Sequence, residues 1–257
     1  MSTDKILTET KGPVTTIILN RPHARNALDQ ETTALLTDAI RTFEQDDRQK
    51  VAVLTGAGGA FCAGADLKET SKRTDYKAWA GHVDGPLHAP CKKPVIAAVA
   101  GHAVAGGLGV ALWCDIRIAE QDAVFGVFCR RWGVPMSDGT PTRLPRLIGM
   151  GNALDMMITG KPVSAEEALA MGLATRVVPT GTARQVAEEL ALQIAGYPPL
   201  AMLSDRHALY YQEGRDEKEA LAEEWRGAQQ AIQHEAQQGA ARFSDGQGRH
   251  GSFNDLE

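Results

Sequence analysis

Apolar residues in the first three quarters of this chain come in short runs, most followed by a stretch with helical spacing. Val14–Leu19, Val51–Thr55 and Val95–Val99 are rich in β-branched residues and bounded by turn formers, which predicts buried strands. Lys5–Glu9 pairs with the first of them across a turn at Lys11-Gly12-Pro13. Leu28, Leu35, Leu36, Ile40 and Phe43 recur near helical spacing and predict a helix over 29–44, with Asp29 as its N-cap. Polar helical stretches over 66–72 and 76–81 lead to the strand that Pro94 introduces. Gly107–Trp113 reads as a buried helix, and 115–119 and 123–128 as strands. Arg143–Ile148 and Ala153–Ile158 read as two short helices separated by Gly149-Met150-Gly151. Ser164-Ala165-Glu166-Glu167 is a capping box whose helix stops at Gly172, and 175–178 is one more short strand.

Beyond Thr182 the pattern changes to Ala, Glu and Gln at helical period, broken by Pro198-Pro199 and Gly214. It predicts three helices near 182–195, 199–213 and 216–239, with 240–257 irregular. Strand–helix units followed by helices alone indicate an α/β core over 1–195 and a helical region over 196–257.

Composition narrows the function classes. A hydrophobic content of 43% over 257 residues supports a sizeable core. The net charge of −5, with basic residues scattered, gives no reason to expect nucleic acid or an acidic membrane surface as partner. No apolar run approaches membrane-spanning length and the start lacks a signal-peptide pattern, so a soluble cytoplasmic protein is expected. The four cysteines form no CxxC pair and the seven histidines no HExxH pattern, so no metal is expected.

Two small-residue turns carry the candidate chemistry. Phe61-Cys62-Ala63-Gly64-Ala65-Asp66-Leu67 follows one apolar strand, and Gly101-His102-Ala103-Val104-Ala105-Gly106-Gly107-Leu108-Gly109 follows the next. A helix that opens on Gly and Ala presents bare backbone N–H groups at its positive end. Two such turns converging could hold a thioester oxygen as its negative charge grows. The glycine spacing of the second turn is not G-x-G-x-x-G, which argues against a dinucleotide loop.

With these turns, Leu19-Asn20-Arg21-Pro22, Arg25-Asn26-Ala27-Leu28, Lys93–Gly101, Cys114–Ala119, Leu144–Gly149 and Ala168–Ala174 follow in an order that resembles the crotonase (enoyl-CoA hydratase/isomerase) superfamily. The resemblance covers nearly the whole chain. It implies an α/β spiral of repeated ββα units with a C-terminal helical trimerisation region, assembled as a homotrimer or as a hexamer of paired trimers. It implies an acyl-CoA thioester as substrate, with no permanently bound cofactor. By motif position, the backbone N–H groups of Ala65 and Gly106 would be the oxyanion donors. Arg25, Ala27, Ala63, Asp66, Leu67 and Lys68 would line the coenzyme A path.

The chain departs from the hydratase pattern at both catalytic glutamates, where it has Gly109 and Cys129. The isomerase pattern keeps a glutamate at the second position, so that too is broken. Asp138 is the candidate replacement for acid–base work, with capping of the helix that starts near Thr140 as the alternative role. Cys129 precedes Arg130-Arg131, whose charge would favour a thiolate, with a packed core thiol as the favoured alternative; a thioester hydrolase thus stands beside the enolate-forming enzyme and beside a catalytically silent acyl-CoA-binding subunit. Either arginine could instead meet an acyl carboxylate, with surface salt-bridging as the favoured alternative. Capping suffices to explain Asp66, and His102 reads as structural.

Overall fold

The computed structural model describes residues 4–72 and 85–248. The expected helix over 76–81 lies outside them. The chain divides into two compact units, Met1–Leu192 and Gln193–Glu257.

The first unit opens with an antiparallel hairpin, β1 (Ile6–Lys11) and β2 (Val14–Leu19), turned at Gly12 and Pro13. Helix α1 (Gln30–Gln45) follows, with the Asp29 side chain accepting from the Thr32 amide. It buries Leu36, Ile40 and Phe43, while Leu35 faces outward. Then come β3 (Val51–Gly56), the short α2 (Leu67–Thr70), β4 (Val95–Val99), β5 (His102–Val104) and α3 (Gly106–Trp113). Strands β6 (Ile116–Glu120) and β7 (Val124–Gly126) precede α4 (Thr140–Thr159), β8 (Val163–Ser164), α5 (Ala165–Ala170), β9 (Arg176–Val178) and α6 (Ala183–Ala195).

Two sheets result among the described residues. The larger runs β1-β2-β3-β4-β6-β9 and is parallel from β2 onward; the smaller runs β5-β7-β8. Chain order explains the pairing. Each of β4 and β6 turns a corner into the next strand, so β4 and β6 join the large sheet while β5 and β7 pair in the small one. Strands β2, β3 and β4 are buried along almost their whole length, the signature of parallel strands covered on both faces. Leu19, Leu54, Ile96, Leu108, Ile118, Phe125 and Leu144 are fully buried in this core.

The structure refines the reading of the segment around α4 and its neighbours. The break expected between two short helices over 143–158 is present within α4 at Gly149, whose φ of 76° and ψ of 157° interrupt the helical backbone, although the first helix starts earlier, at Thr140. The strand expected over 123–128 ends at Gly126, because Phe128–Trp132 coils into a tight 3₁₀ turn. The small strands β5 and β8 were not anticipated.

The second unit contains α7 (Pro199–Tyr211), α8 (Glu217–Ala231) and α9 (Gln237–Ser244), with a π-helical stretch over Ile232–Ala236. Helix continues to Ser244, where an irregular tail was expected from residue 240. Ala240, Ala241 and Arg242 favour helix strongly enough to carry it past Gly239. No helix among the described residues is long and apolar enough to cross a membrane.

Candidate active site

The two glycine turns meet. Cys62 bridges Ala103 in parallel fashion, with its amide donating to the His102 carbonyl at 2.9 Å and its carbonyl accepting from the Val104 amide at 3.0 Å. The contact extends the small sheet by one residue and brings the ends of the turns together. A Cβ on Gly64 would lie 2.6 Å from the Gly106 nitrogen, and one on Gly107 would lie 2.0 Å from the Cys62 carbonyl oxygen. Gly64 also has φ +88°. Only glycine admits both that conformation and this approach.

Neither the Ala65 nor the Gly106 amide donates a hydrogen bond to any described residue. Ala65 sits between Leu28 and Asp66 in a bridge that uses the carbonyl of Gly64 and the amide of Asp66, leaving its own N–H free. Gly106 is the first residue of α3, where the helix supplies no acceptor. Ala105, before it, holds φ 50° and ψ −127°. That is a costly conformation for a residue with a side chain. Its amide donates to Gly126 and its carbonyl accepts from Leu108, both at 2.9 Å, so the turn is fixed from both sides.

Both turns border one cleft with about 600 Å³ of empty space, open to solvent. Ala63, Ala65, Leu67, Ala105 and Gly106 form one side, and residues from Phe128 to Asp138 form the other. Asp138 is the carboxylate on this lining and is only 4% exposed. Its Oδ1 accepts from the Thr140 amide at 2.9 Å, the first amide of α4, while the N-cap position itself is Gly139. Its Oδ2 accepts no hydrogen bond from a described residue, and lies 2.5 Å from where a Cβ on Gly109 would be. Burial pushes the carboxyl up, by more than the Thr140 amide and the Arg143 charge pull it down.

Cys129 lies across the same cleft with its thiol directed at the Met136 thioether, Sγ to Sδ 3.1 Å. Burial pushes its pKa up and outweighs the Arg130 charge, opposite to the direction the neighbouring arginines suggest. Arg130 Nε donates to the Met157 carbonyl at 3.0 Å, and the Arg131 guanidinium stacks 4.5 Å above the Phe128 ring. Among the described residues no group of His, Cys, Asp and Glu is arranged to hold a metal ion.

A family model described as enoyl-CoA hydratase/isomerase matches residues 9–250. The chain belongs to the enoyl-CoA hydratase/isomerase family. It is 35% identical over 247 residues to enoyl-CoA hydratase EchA19 of Mycobacterium tuberculosis, covering 93% of each chain. It is 40% identical over 205 residues to (E)-benzylidenesuccinyl-CoA hydratase of Thauera aromatica, covering 78% of this chain and 80% of that one. The crystal structure of enoyl-CoA hydratase EchA1 from Mycobacterium marinum superposes with a TM-score of 0.88 at 32% identity, over 94% of this chain and 96% of that one. The architecture is therefore the α/β crotonase fold of this enoyl-CoA hydratase/isomerase family, with a helical C-terminal region.

Within that fold the residues singled out in the sequence fall into three groups. Ala63, Ala65, Leu67, Gly106 and Asp138 line the cleft together. Asp66 caps α2 through the amides of Lys68 and Glu69 and pairs with Arg21 at 2.9 Å, so its carboxylate is engaged. Arg25 and Lys68 are exposed, and Ala27 is buried; none of the three lines the cleft. Arg25 and the following Asn26 both take left-handed backbone, and the Asn26 side chain ties the loop to the carbonyls of Ala57 and Ala60. His102 joins β5 through its backbone. The resemblance implied that the loop from Pro135 to Asp138 forms part of the wall, and it does; Trp132 and Val134 on the same wall were not anticipated, since no periodic pattern marks an irregular loop.

Proposed function

We propose that this chain acts on a coenzyme A thioester, polarising the thioester carbonyl between the Ala65 and Gly106 amides and moving a proton with Asp138. The observation that carries the reading is the Asp138 carboxylate: buried, on the cleft, with one oxygen uncommitted, and packed on Gly109 where the hydratase pattern has a glutamate. As charge grows on the thioester oxygen, two fixed N–H dipoles stabilise it without reorganisation. Asp138 then exchanges a proton with the carbon skeleton or with a water beside it. Its raised pKa brings the acid and base forms closer in energy near neutral pH, which suits a group serving in both roles. Water addition or double-bond migration by a single carboxylate fits this arrangement.

A hydrolase built on Cys129 is the weaker reading, because the thiol is neutral and faces Met136. The coenzyme is placed along Ala63 to Leu67, with Arg25 and Lys68 exposed on the approach. The exposed Leu209, Leu221, Trp225 and Phe243 of the helical region support assembly with further copies of this chain as a trimer or hexamer. The four cysteines form no disulfide among the described residues, which suits a reducing cytoplasm.

The test is an enoyl-CoA panel followed by mass spectrometry for gain of water and by chromatography for isomers. Turnover is expected, and Asp138→Asn is expected to lower it by about a hundred- to ten-thousand-fold while acyl-CoA still binds. Tight binding without turnover across the panel would instead identify a silent binding subunit.

A further inference from the structure

We infer that the acyl part of the substrate is an uncharged, apolar chain or ring that lies against Trp132, and that acyl groups carrying a second carboxylate are rejected. The inference rests on the coenzyme A thioester reading above. With the carbonyl at Ala65 and Gly106, the carbons beyond it must run toward Asp138 for that carboxylate to reach them. The wall on that side is Phe128, Trp132, Val134, Pro135 and Met136, with Ser137 the polar neighbour of Asp138. Trp132 borders the cleft yet keeps 69% of its surface exposed, a large apolar face that an acyl group would cover.

The charges on this wall argue the same way. The cleft lining among the described residues contains no Lys, Arg or His. Arg130 and Arg131, the cations nearest in sequence, are directed to the Met157 carbonyl and the Phe128 ring. Arg143 donates to the carbonyls of Asp138 and Leu87. Among the described residues no cation lines the groove, so a terminal carboxylate would face the Asp138 carboxylate there while Arg131 is engaged on the Phe128 ring.

Equilibrium binding of saturated acyl-CoA esters tests this without requiring turnover. Octanoyl-CoA and 3-phenylpropanoyl-CoA are expected to bind at least about tenfold more tightly than glutaryl-CoA. Trp132→Ala should shrink the ratio of 3-phenylpropanoyl to butyryl affinity by about tenfold, and Trp132→Phe should preserve most of it. Arg131→Ala should leave the preference against glutaryl-CoA in place. Equal affinity for glutaryl and octanoyl esters, or a Trp132→Ala protein that is folded by circular dichroism with an unchanged ratio, overturns the inference and leaves the thioester reading standing. Failure of every ester to bind overturns the thioester reading and this inference with it.

Discussion

The Asp138 carboxylate fills the space into which a side chain at Gly109 would grow: a Cβ there would lie 2.4 Å from Asp138 Cγ. A glutamate on α3 and an aspartate on the loop before α4 are thus mutually exclusive ways of bringing a carboxylate to this place. Gly109→Ala should force Asp138 aside, lowering stability by about 1–3 kcal/mol and turnover with it. Combining Gly109→Glu with Asp138→Ala removes the clash and supplies a carboxylate from the helix. The double variant should be more active than Asp138→Ala alone. Equal activity of those two proteins would show that α3 cannot present a carboxylate to the substrate.

Stability and activity should part company at Asp138. Its carboxyl pKa is raised by burial, so the charged form is disfavoured in the folded state. The sign follows from linkage: folding is favoured most below the ordinary value of 3.8 and loses that benefit as pH rises through the elevated native pKa. Asp138→Asn keeps an oxygen for the Thr140 amide and removes the charge. Its melting temperature should exceed that of the unmodified protein at pH 7, with the difference shrinking toward pH 3–4, while turnover collapses. A lower melting temperature at pH 7 would contradict the assignment of a strained charge.

Arg21 should hold stability of the opposite pH dependence. It reaches Asp66 at 2.9 Å and Asp29 at 3.2 Å, joining the caps of α2 and α1. Burial pushes the Asp29 carboxyl up, but the Lys5 ammonium, the Thr32 hydroxyl and amide and the Arg21 charge outweigh it and leave its pKa at about 2. At Asp66 burial pushes the carboxyl up, and the Arg21 hydrogen bond is the leading cause that outweighs it and lowers the carboxyl. The stabilisation Arg21 supplies is therefore complete above the ordinary value of 3.8 and is lost as pH falls through the depressed native value. Arg21→Ala should cost about 2 kcal/mol at pH 7, measured by denaturant unfolding. The gap should narrow as the titration descends through that range.

Relief of strain should appear at Ala105. Replacing it with glycine removes an unfavourable φ of 50°, and the benefit exceeds the added freedom of the unfolded chain. A gain of about 1 kcal/mol in unfolding free energy is expected. The same change should lower turnover, since the Gly106 amide is then held less firmly.

Cys129 should behave as a packed thiol. Its elevated pKa predicts slow alkylation by iodoacetamide at pH 7 that accelerates only as pH rises above the usual thiol range. Cys129→Ala should retain thioester chemistry. Loss of all turnover in that protein, with its fold intact, would restore the nucleophile reading.

Much of this was legible before any coordinates. The runs at 14–19, 51–55 and 95–99 are buried on both faces, so their composition alone marks them as strands. The two small-residue turns stood out because they leave backbone amides bare; the second does open α3 at Gly106, whereas α2 starts only at Leu67 behind the Asp66 cap and Ala65 keeps its amide free beside a β-bridge to Leu28. What escaped was contact rather than pattern. Strands β5 and β8 have three and two residues, too few to show a period. The packing of Asp138 on Gly109 joins a loop to a helix with no periodic signal between them. Arg130 and Arg131 looked like modifiers of Cys129 by sequence proximity, yet the 3₁₀ turn sends them to Met157 and Phe128.

The parallel pairing of Cys62 with Ala103 has a kinetic consequence. The two amide donors belong to segments far apart in the chain, and neither segment can form the pair locally. Each turn directly follows one of the paired strands β3 and β4, so their register is expected to follow that long-range alignment, a class of contact that is slow to form. If the proposed function holds, helical signal should therefore return during refolding before thioester turnover does. Recovery of catalysis would then be a late clock for the first unit, timed by the docking of two strands rather than by any single helix.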